Sequence, residues 1–430
     1  MRMLISPRPL AGEVNPVISS KSVTHRMLIA AALSGEETRV ERVAPSADAR
    51  ATCRCLEAMG CRIRAEGENL ILRPGERAES AEMDCGESGS TLRFMLPVAA
   101  ALGIRTVFTG QGKLAERPLS PLYEEMSAHG VRFSPQGRFP LRVEGQLTAG
   151  RFQLAGNVSS QFITGLLLAL PLLEGNSEIR LTSPLESASY VEITLRTLER
   201  FGIRVIREKD GLRVPGGQRY RSPGRVTVEG DWSGAAFWLA AGALSEAGVT
   251  CAGLDRASAQ GDRAMLALLR DFGARVTEEE DRVTVRRGSL RGISVDAGDI
   301  PDLVPALAVT AAFAEGETVI RRIARLRLKE SDRVETVLRL IRSLGGRAEA
   351  SEQEMRIAGG GLRGGRAEAF GDHRIAMAAA VAGSAADGPT EIAGAESVAK
   401  SYPGFFEVFR SLGGQAAAEP EETERQERGK

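Results

Sequence analysis

The stretch Ser19–Val40, SSKSVTHRMLIAAALSGEETRV, contains the pattern that the rest of the chain repeats. Small polar residues and two cations, Lys21 and Arg26, come first, and an apolar run follows them. This pattern predicts a helix capped by Ser22 or Thr24. Cations are disfavoured at a helix N-terminus unless an anion is present, so the two cations indicate an anion-binding site. A buried helix whose polar start faces water remains an open alternative at this point.

Five later stretches have the same plan of a polar start, an apolar run and a closing glycine. They are ESGSTLRFMLPVAAALG (87–103), SSQFITGLLLALPLLEG (159–175), DWSGAAFWLAAGALSEAG (231–248), DLVPALAVTAAFAEG (302–316) and DHRIAMAAAVAGSAADG (372–388). The closing glycines, spaced by 68 to 73 residues, are Gly35, Gly103, Gly175, Gly248, Gly316 and Gly388.

A second series of glycines runs through the chain with the same period. Each of these glycines ends an amphipathic helical pattern and precedes a strand pattern, as in LERFGIRV and LRDFGARV. They are Gly60, Gly130, Gly202, Gly273, Gly345 and Gly413, spaced by 68 to 72 residues. Two series with one period predict six copies of a βαβ-type unit, which divide into two domains of three because 430 residues exceed one ordinary core.

Composition excludes several classes of function. The net charge is zero, with 56 acidic and 56 basic residues, which argues against non-specific binding to nucleic acid or to a membrane surface. The N-terminal residues lack the apolar segment of a signal peptide, and the most apolar run, 161–173, is interrupted by Pro171 and too short to span a membrane. We therefore expect a cytoplasmic protein without a membrane or nucleic-acid partner.

The cysteines predict neither a disulfide framework nor a zinc site. They are odd in number and unevenly spaced, and no His lies at ligand spacing from them. We expect reduced, mostly structural thiols at Cys53, Cys55, Cys61, Cys85 and Cys251.

Lysine is rare in this chain, and its positions are informative. An Arg keeps its proton in a protein, whereas the pKa of a Lys shifts readily in a cleft. Three lysines lie in dense polar clusters, namely Lys21, Lys329 and Lys400. The others are Lys113, Lys209 and Lys430, of which the last two have charged surface contexts.

Charged clusters precede two of the later helices. The segment Lys329–Arg333 follows a strand pattern, so it is predicted at a turn of the kind where an α/β unit keeps ligand groups, although an exposed, salt-bridged helix start is the usual role of such a run. The segment Asp372–Arg374 opens an Ala-rich helix. For Asp302, capping of the fifth apolar helix is the interpretation that the residues alone favour. His25 and His129 are expected to be structural.

Six motifs together identify a family. They are Lys21-Ser22 with Arg26, Gly86–Arg93, Ser159-Ser160-Gln161, Lys329–Arg333, Asp372–Arg374 and Lys400. In the order and spacing of these motifs the chain resembles the 3-phosphoshikimate 1-carboxyvinyltransferases, also called 5-enolpyruvylshikimate-3-phosphate (EPSP) synthases, up to about residue 415.

The resemblance implies an α/β fold of two similar domains, each of three βαβαββ repeats in an inside-out α/β barrel, with an active-site cleft between them. It further implies that the first domain is discontinuous, comprising 1–19 and 229–415, and that the second comprises 20–228. Residues 416–430 are charged without apolar periodicity and are expected to be disordered.

The family transfers the enolpyruvyl group of phosphoenolpyruvate to the 5-hydroxyl of shikimate 3-phosphate through a tetrahedral intermediate, with release of phosphate. The resemblance implies that shikimate 3-phosphate is bound by Lys21, Ser22, Arg26, Ser159, Ser160, Gln161, Ser187, Tyr190, Asp302 and Lys329. It implies that phosphoenolpyruvate is bound by Lys21, Gly89, Arg117, Gln161, Arg333, Arg374 and Lys400. No metal or cofactor is expected, and members of the family are typically monomers.

The resemblance also assigns the acid–base groups. Asp302 would remove the proton of the 5-hydroxyl, while Glu330 with Lys21 would supply or relay a proton to the methylene carbon. Gly89 would leave room for the small substrate, and its presence predicts sensitivity to glyphosate. Two residues depart from the family pattern: Glu87 and Arg325 each stand where members often have Asn, so no shikimate contact is carried over to Arg325.

Three alternative functions are disfavoured. The sister family that acts on UDP-N-acetylglucosamine has the same architecture, but it typically carries a Cys in the loop that corresponds to Gly110–Pro121 and lacks the Ser-Ser-Gln site. RNA 3′-end processing enzymes use related units, yet zero net charge and few aromatic residues disfavour that function. A non-catalytic anion-binding scaffold would not need Asp302 and Glu330 together.

Overall fold

The structure is a computed structural model that describes residues 1–135 and 138–419. The chain folds into two compact units. One, here called the split unit, contains Met1–Ile18 and the residues from Gly230 onward, and the other, the continuous unit, is Ser19–Glu229. Each division lies one residue from the boundary expected from the resemblance.

The described residues contain twelve α-helices, which alternate between buried and amphipathic. In chain order they are α1 (Lys21–Leu33), α2 (Ala47–Ala58), α3 (Gly89–Ala101), α4 (Leu122–Ala128), α5 (Ser160–Ala169), α6 (Ala188–Arg200), α7 (Trp232–Ala243), α8 (Met265–Phe272), α9 (Val304–Ala312), α10 (Arg333–Ser343), α11 (His373–Ala385) and α12 (Phe405–Ser411). The odd-numbered helices are the six apolar runs, and each is buried along most of its length.

The strands form six four-stranded sheets within the described residues. In the first half of the chain they are β1 (Arg2–Ser6), β2 (Gly12–Val14), β3 (Thr38–Glu41), β4 (Arg62–Glu66), β5 (Asn69–Arg73), β6 (Ser80–Asp84), β7 (Arg105–Thr109), β8 (Arg132–Ser134), β9 (Leu141–Glu144), β10 (Arg151–Leu154), β11 (Ser177–Leu181), β12 (Ile206–Glu208) and β13 (Gly211–Val214). In the second half they are β14 (Arg225–Thr227), β15 (Val249–Ala252), β16 (Arg275–Glu278), β17 (Arg282–Arg286), β18 (Ser294–Asp296), β19 (Glu317–Arg321), β20 (Arg347–Ala350), β21 (Glu354–Ala358), β22 (Gly365–Glu368), β23 (Thr390–Ala393) and β24 (Gln415–Glu419).

Each sheet with its two helices is a βαβαββ repeat, as expected. In the second repeat, β6 and β7 pair in parallel across the buried helix α3, and β8 and β9 complete the sheet in antiparallel pairing, in the order β6-β7-β9-β8. A parallel pair needs a long crossover, which the apolar helix supplies while covering the sheet. The prediction of an α/β fold built from six such repeats is confirmed.

Distant strands complete three of the sheets. β14 supplies the first strand of the first repeat by pairing with β3, so the continuous unit closes on itself. In the split unit, β2 pairs with β15, and β1 lies between β23 and β24 in the last sheet.

The first apolar helix begins earlier than its sequence indicated. α1 starts at Lys21, and its N-cap is Ser20, whose side chain accepts a hydrogen bond from the Val23 backbone. The expectation that Ser22 or Thr24 caps the helix is therefore wrong. Both lie in the first turn, where the hydroxyl of Thr24 donates to the Ser20 carbonyl at 2.8 Å.

The expectation that residues 416–430 are disordered is wrong in part. β24 pairs antiparallel with β1 over Gln415–Glu419, so residues 416–419 are a strand and not a disordered tail. Three consecutive alanines at 416–418 give no alternation of apolar and polar residues, and the pairing strand is supplied from the opposite end of the sequence. Residues 420–430 lie outside the described residues.

Candidate active site

The starts of the buried helices in the continuous unit carry the predicted phosphate-binding residues. Lys21, the first residue of α1, pairs with Asp48 of α2 at 2.8 Å between Nζ and Oδ2. Only 15% of the Lys21 side chain is exposed. The pair fixes the ammonium group between two helices, because a buried charge is stable only when it is paired or hydrogen-bonded. Asp48 had not been expected in this role.

Arg26 is a buried cation that contacts neutral groups. Its guanidinium donates to Thr194 Oγ1 at 2.8 Å, to Thr164 Oγ1 at 3.1 Å and to the carbonyls of Ser22 and Tyr190. Burial lowers the pKa of Arg26 to about 9, so the group remains charged at neutral pH. No carboxylate of the described residues lies within 4 Å of it. A buried charge without a counter-ion suits the binding of an anion.

The serine motif forms the start of α5. Ser159 is the N-cap, its side chain accepting from the backbone of Gln161, and Ser160 is the first helical residue. The Gln161 side chain donates to Ser90 at 2.8 Å and accepts from Arg93 at 2.6 Å, so two residues of α3 orient it.

Arg93 is a structural residue of the site to which the sequence had assigned no role. Besides Gln161, its guanidinium donates to the carbonyl of Pro118 at 2.9 Å, which ties α3 to the 110–121 loop. α3 and α5 pack closely at Gly165, where a Cβ would lie 2.2 Å from the Arg93 carbonyl oxygen.

Arg117 lies directly over the start of α3. A Cβ placed on Gly89 would be 2.6 Å from Arg117 Nη1 and 2.8 Å from its Cζ. Glycine at position 89 therefore has an immediate structural reason. A side chain there would collide with the Arg117 guanidinium before it crowded any small substrate. The loop is held to the same place by the Gln111 backbone N–H, which donates to the Gly86 carbonyl at 2.7 Å.

Ser187 and Tyr190 lie at the start of α6. Ser187 is the N-cap residue, with a left-handed backbone (φ +55°) and no side-chain capping bond. The Tyr190 carbonyl accepts from Arg26, which joins α6 to α1. Hydrogen bonds thus connect Ser22, Arg26 and Tyr190 between α1 and α6, and Ser159 to Gln161 at the start of α5.

In the split unit, Asp302 is not a helix cap. α9 begins at Val304, after an N-cap residue, Leu303, that makes no side-chain capping bond. The Asp302 carboxylate instead lies 2.7 Å from Arg333 Nη1, 3.3 Å from Arg374 Nη2 and 3.5 Å from Lys329 Nζ. The interpretation that residue type alone favoured is therefore wrong, and Asp302 is the centre of a cationic cluster.

Arg333 connects three carboxylates at the start of α10. It bonds Glu330 at 2.6 Å and Asp372 at 2.8 Å in addition to Asp302, and it is 1% exposed. Burial acts to lower the pKa of Arg333, but the charges of Asp372, Glu330 and Asp302 outweigh burial and raise it well above its usual value. Burial likewise acts to raise the pKa of Asp372, and Arg333 reverses that effect, leaving it lowered. The arrangement keeps both groups charged.

Lys329 and Asp262 have shifted pKa values in the same cluster. Burial lowers the pKa of Lys329 to about 8, with Asp302 opposing the shift. Burial, reinforced by the charge of Asp302, raises the pKa of Asp262 to about 7. The sequence had not marked Asp262, which follows Gln260, a residue whose amide bonds both the Gly230 carbonyl and the Trp232 backbone at the start of α7.

Arg374 and Lys400 complete the predicted set. Arg374 donates to Ser233 at 3.0 Å and to the Asp302 carbonyl at 3.2 Å, and its own backbone N–H donates to the capping carboxylate of Asp372. Lys400 donates to the Gly371 carbonyl at 2.6 Å, one residue before that cap. The predicted residues of the split unit therefore gather at the starts of α9, α10 and α11.

The two departures from the family pattern lie beside these sets. A Cβ on Gly112 would lie 2.6 Å from Glu87 Oε2, so the Glu87 side chain packs against the 110–121 loop. Arg325 lies in the 3-10 turn Ala324–Leu328, and its charge contributes to the lowered pKa of Lys329.

Comparison with known proteins identifies the family of this chain. The sequence model of the EPSP synthase (3-phosphoshikimate 1-carboxyvinyltransferase) family matches residues 5–409. This chain belongs to the EPSP synthase family. The 3-phosphoshikimate 1-carboxyvinyltransferase of Clostridium kluyveri is 42% identical over 420 residues, covering 96% of this chain and 97% of the relative. That of Halobacterium salinarum is 40% identical over 427 residues, covering 96% and 99%.

Solved structures of EPSP synthases share the fold. The EPSP synthase of Acinetobacter baumannii superposes with a TM-score of 0.82 at 26% identity, over 97% of this chain and 100% of that one. The family match supports the EPSP synthase assignment over the UDP-N-acetylglucosamine alternative.

Three further observations concern the described part of the chain. None of its helices is long and apolar enough to cross a membrane. Its His, Cys, Asp and Glu side chains form no group of three or more that is arranged to hold a metal ion. All five cysteines are free thiols.

Proposed function

We propose that this member of the EPSP synthase family transfers the enolpyruvyl group of phosphoenolpyruvate to the 5-hydroxyl of shikimate 3-phosphate. The observation that carries the proposal is the position of Asp302, a carboxylate within 3.5 Å of three cations and outside any capping role. A base of this kind is needed to take the proton of the attacking hydroxyl.

The anionic substrates would change the environment of Asp302. Phosphate and carboxylate groups that bind Arg333, Arg374 and Lys329 compete with Asp302 for these cations. Weaker pairing with these cations would leave the Asp302 carboxylate available to accept the proton of the attacking hydroxyl. Substrate binding thereby prepares the base for the reaction.

The continuous unit supports the same reaction from its own side. Arg26 is a buried cation that pairs with no carboxylate among the described residues, and Ser159 and Ser160 open the helix beside it. Free N–H groups at a helix start, hydroxyls and a guanidinium are the donors that bind phosphate. We propose that this set holds shikimate 3-phosphate, together with Lys21, Ser22, Gln161, Ser187 and Tyr190.

Phosphoenolpyruvate would be held by arginines and by two lysines. Arg117, Arg333, Arg374, Lys21 and Lys400 supply positive charge, and they stabilise the charge that develops on the departing phosphate. Glu330, 2.6 Å from Arg333, would deliver the proton to the methylene carbon with Lys21. Addition forms the new C–O bond while the methylene carbon takes up a proton and becomes a methyl group. Elimination then removes one proton from that methyl group and breaks the bond to phosphate, which restores the double bond.

Asp302→Asn tests the assigned base. It keeps the side-chain shape but cannot accept the proton, so kcat should fall by about 10² to 10⁴-fold while the Kd of phosphoenolpyruvate changes little. Asp296→Asn is the matched control, because Asp296 is an exposed carboxylate of the same unit that pairs with Arg322. An Asp302→Asn enzyme that lost binding as strongly as turnover would show that the carboxylate has a structural role only.

The substrate is tested by release of inorganic phosphate from the purified protein with phosphoenolpyruvate. We expect release with shikimate 3-phosphate and none when UDP-N-acetylglucosamine replaces it. Release only with UDP-N-acetylglucosamine would assign the chain to the reaction of the sister family. No phosphate release with either acceptor would refute the proposed function.

The presence of Gly89 also predicts inhibition by glyphosate. The inhibitor is proposed to bind in place of phosphoenolpyruvate beneath Arg117. Steady-state assays should show competition with phosphoenolpyruvate. Turnover that stays unaltered at saturating glyphosate would refute this expectation.

Several expectations stay predictions: an active site shared by the two units, a monomeric state, a cytoplasmic location, independence from metals and cofactors, and the absence of a nucleic-acid partner. The small-molecule substrates named above are the partners that the family supports.

A further inference from the structure

Four buried polar side chains form a continuous line inside the continuous unit. His25 Nδ1 lies 2.7 Å from Thr52 Oγ1, Thr52 Oγ1 lies 2.8 Å from Thr91 Oγ1, and Thr91 Oγ1 lies 2.8 Å from Ser88 Oγ. None of the four is more than 1% exposed. The line leads from α1 through α2 to Ser88, the N-cap of α3.

The protons available to this line can be counted. Burial lowers the pKa of His25 to about 3, so its ring is neutral and carries one proton. Each of the three hydroxyls carries one more. Three contacts use three of the four protons. Because the hydroxyls of Thr52 and Thr91 make no other hydrogen bond within the described residues, the remaining proton lies at one end of the line.

Only two arrangements satisfy all three contacts. If the His25 proton is on Nε2, every hydroxyl donates toward the ring, and the unused donor is Nε2–H. If it is on Nδ1, every hydroxyl donates away from the ring, and the unused donor is the Ser88 hydroxyl, which already accepts from the Thr91 backbone. The direction of the whole line therefore depends on the tautomer of one histidine.

The surroundings of the two ends favour the second arrangement. Nε2 of His25 is fully buried and has no hydrogen-bond partner among the described residues, and the ring packs edge-on against Phe94. A buried N–H without an acceptor is rarer than an unused acceptor and costs about 1–3 kcal/mol. The Ser88 end instead lies at a helix start, with Arg117 over the next residue.

We infer that Ser88 donates its hydroxyl proton to an anionic oxygen of phosphoenolpyruvate at the start of α3, and that His25, as the Nδ1–H tautomer, is the positioning residue that directs this donor. The identity of the anion rests on the proposed function. The free N–H groups of the first turn and the Arg117 guanidinium favour a negative oxygen at that place. Ser88 would thus bind the substrate while it caps the helix.

The tautomer is measured directly by NMR of the full-length protein labelled with ¹⁵N-histidine, without substrate. The chain has three histidines, and His25→Asn identifies the signals of His25 by their loss. We expect the proton of His25 on Nδ1. A proton on Nε2 would overturn the inference, because every hydroxyl in the line would then point away from the helix start.

The donor is tested by Ser88→Ala. Loss of a hydrogen bond to a charged group should raise the KM for phosphoenolpyruvate by roughly ten-fold or more, with the KM for shikimate 3-phosphate and kcat within about two-fold. Ser46→Ala is the matched control, since Ser46 caps α2 by accepting from the Ala49 backbone at 3.1 Å. Equal KM values for phosphoenolpyruvate in the two variants would refute the role of Ser88.

The two measurements separate this inference from the proposed function. Wild-type protein that releases no phosphate would refute the function and with it the identity of the anion. The measured tautomer of His25 would still show whether His25 directs the Ser88 hydroxyl. This measurement does not require that Ser88→Ala folds.

Discussion

At the scale of single residues, Lys329 shows why this chain uses lysine where it otherwise uses arginine. Its ammonium lies 3.5 Å from Asp302, and burial lowers its pKa from 10.5 to about 8. Below that pH the group is a cation that can hold an anionic substrate, and above it the charge is lost. An arginine in the same place would stay charged throughout.

We therefore predict a fall in kcat/KM for shikimate 3-phosphate above about pH 8, because this ratio reports the ionisation of the free enzyme. Lys329→Arg should move the fall to higher pH. Lys209→Arg, at an exposed lysine, should leave the profile unchanged. An identical alkaline limb in wild type and Lys329→Arg would exclude Lys329 as the titrating group.

Individual site residues could be predicted from the sequence only where they belong to motifs of a known family. Asp302 shows the limit of local reasoning, because an aspartate before an apolar helix usually caps it, and only the folded chain reveals three cations beside it. The contacts of Asp262 and Arg93 carry no local signal, since Asp302, Gln161 and Pro118 lie 25 or more residues away in sequence. Such pairings arise from tertiary packing, which residue type and spacing do not encode.

At the scale of elements, the 110–121 loop and the start of α3 form one structural piece. The loop is anchored by Gln111 to Gly86, and Arg93 anchors the Pro118 carbonyl, so Arg117 between them is held over Gly89. Because both anchors use backbone groups of the loop, its sequence can vary while its position is kept.

We predict that Gly89→Ala displaces the Arg117 guanidinium, since the new Cβ would lie 2.6 Å from Nη1. The guanidinium is the end of a flexible side chain, so the fold should tolerate the change, and the KM for phosphoenolpyruvate should rise on the order of ten-fold. Steady-state kinetics measure the effect. Gly35→Ala, where a Cβ would meet nothing within 4 Å, is the control. Equal KM values in both variants would contradict the role of this contact.

Elements were predicted best where the pattern was strong. The six apolar helices and the glycines after them were correct in kind, because a buried helix needs a long apolar run and its end tolerates glycine. The cap of α1 and the strand β24 were missed for different reasons. Four hydroxyl residues, Ser19, Ser20, Ser22 and Thr24, compete for the cap of α1. The strand β24 is mostly alanine, and its partner strand is at the other end of the chain.

At the scale of the whole molecule, the two units differ in how they are closed. The continuous unit contains all the strands of its three sheets, and its ends meet where the Ser20 backbone donates to the Glu229 carbonyl at 2.8 Å. The split unit obtains β1 and β2 from a segment that is distant in sequence. Independent folding is therefore expected of the continuous unit only.

We predict that a fragment of residues 19–229 unfolds cooperatively in urea, as followed by circular dichroism. A fragment that begins at residue 230 lacks one strand from each of two sheets. It should not show cooperative unfolding until a peptide of residues 1–18 is added. A disordered 19–229 fragment would show that the continuous unit depends on its neighbour for stability.

The central position of β1 in its sheet has a consequence for biosynthesis. A ribosome makes β1 about 380 residues before β23 and still longer before β24, the two strands between which it must lie. At about 5–20 residues per second, the strand waits on the order of 20 to 80 seconds for its partners, whereas the continuous unit can fold as soon as it emerges. Throughout that interval a nascent segment with the sequence RMLIS stays without its neighbours, and it is there that a chaperone would most benefit this protein.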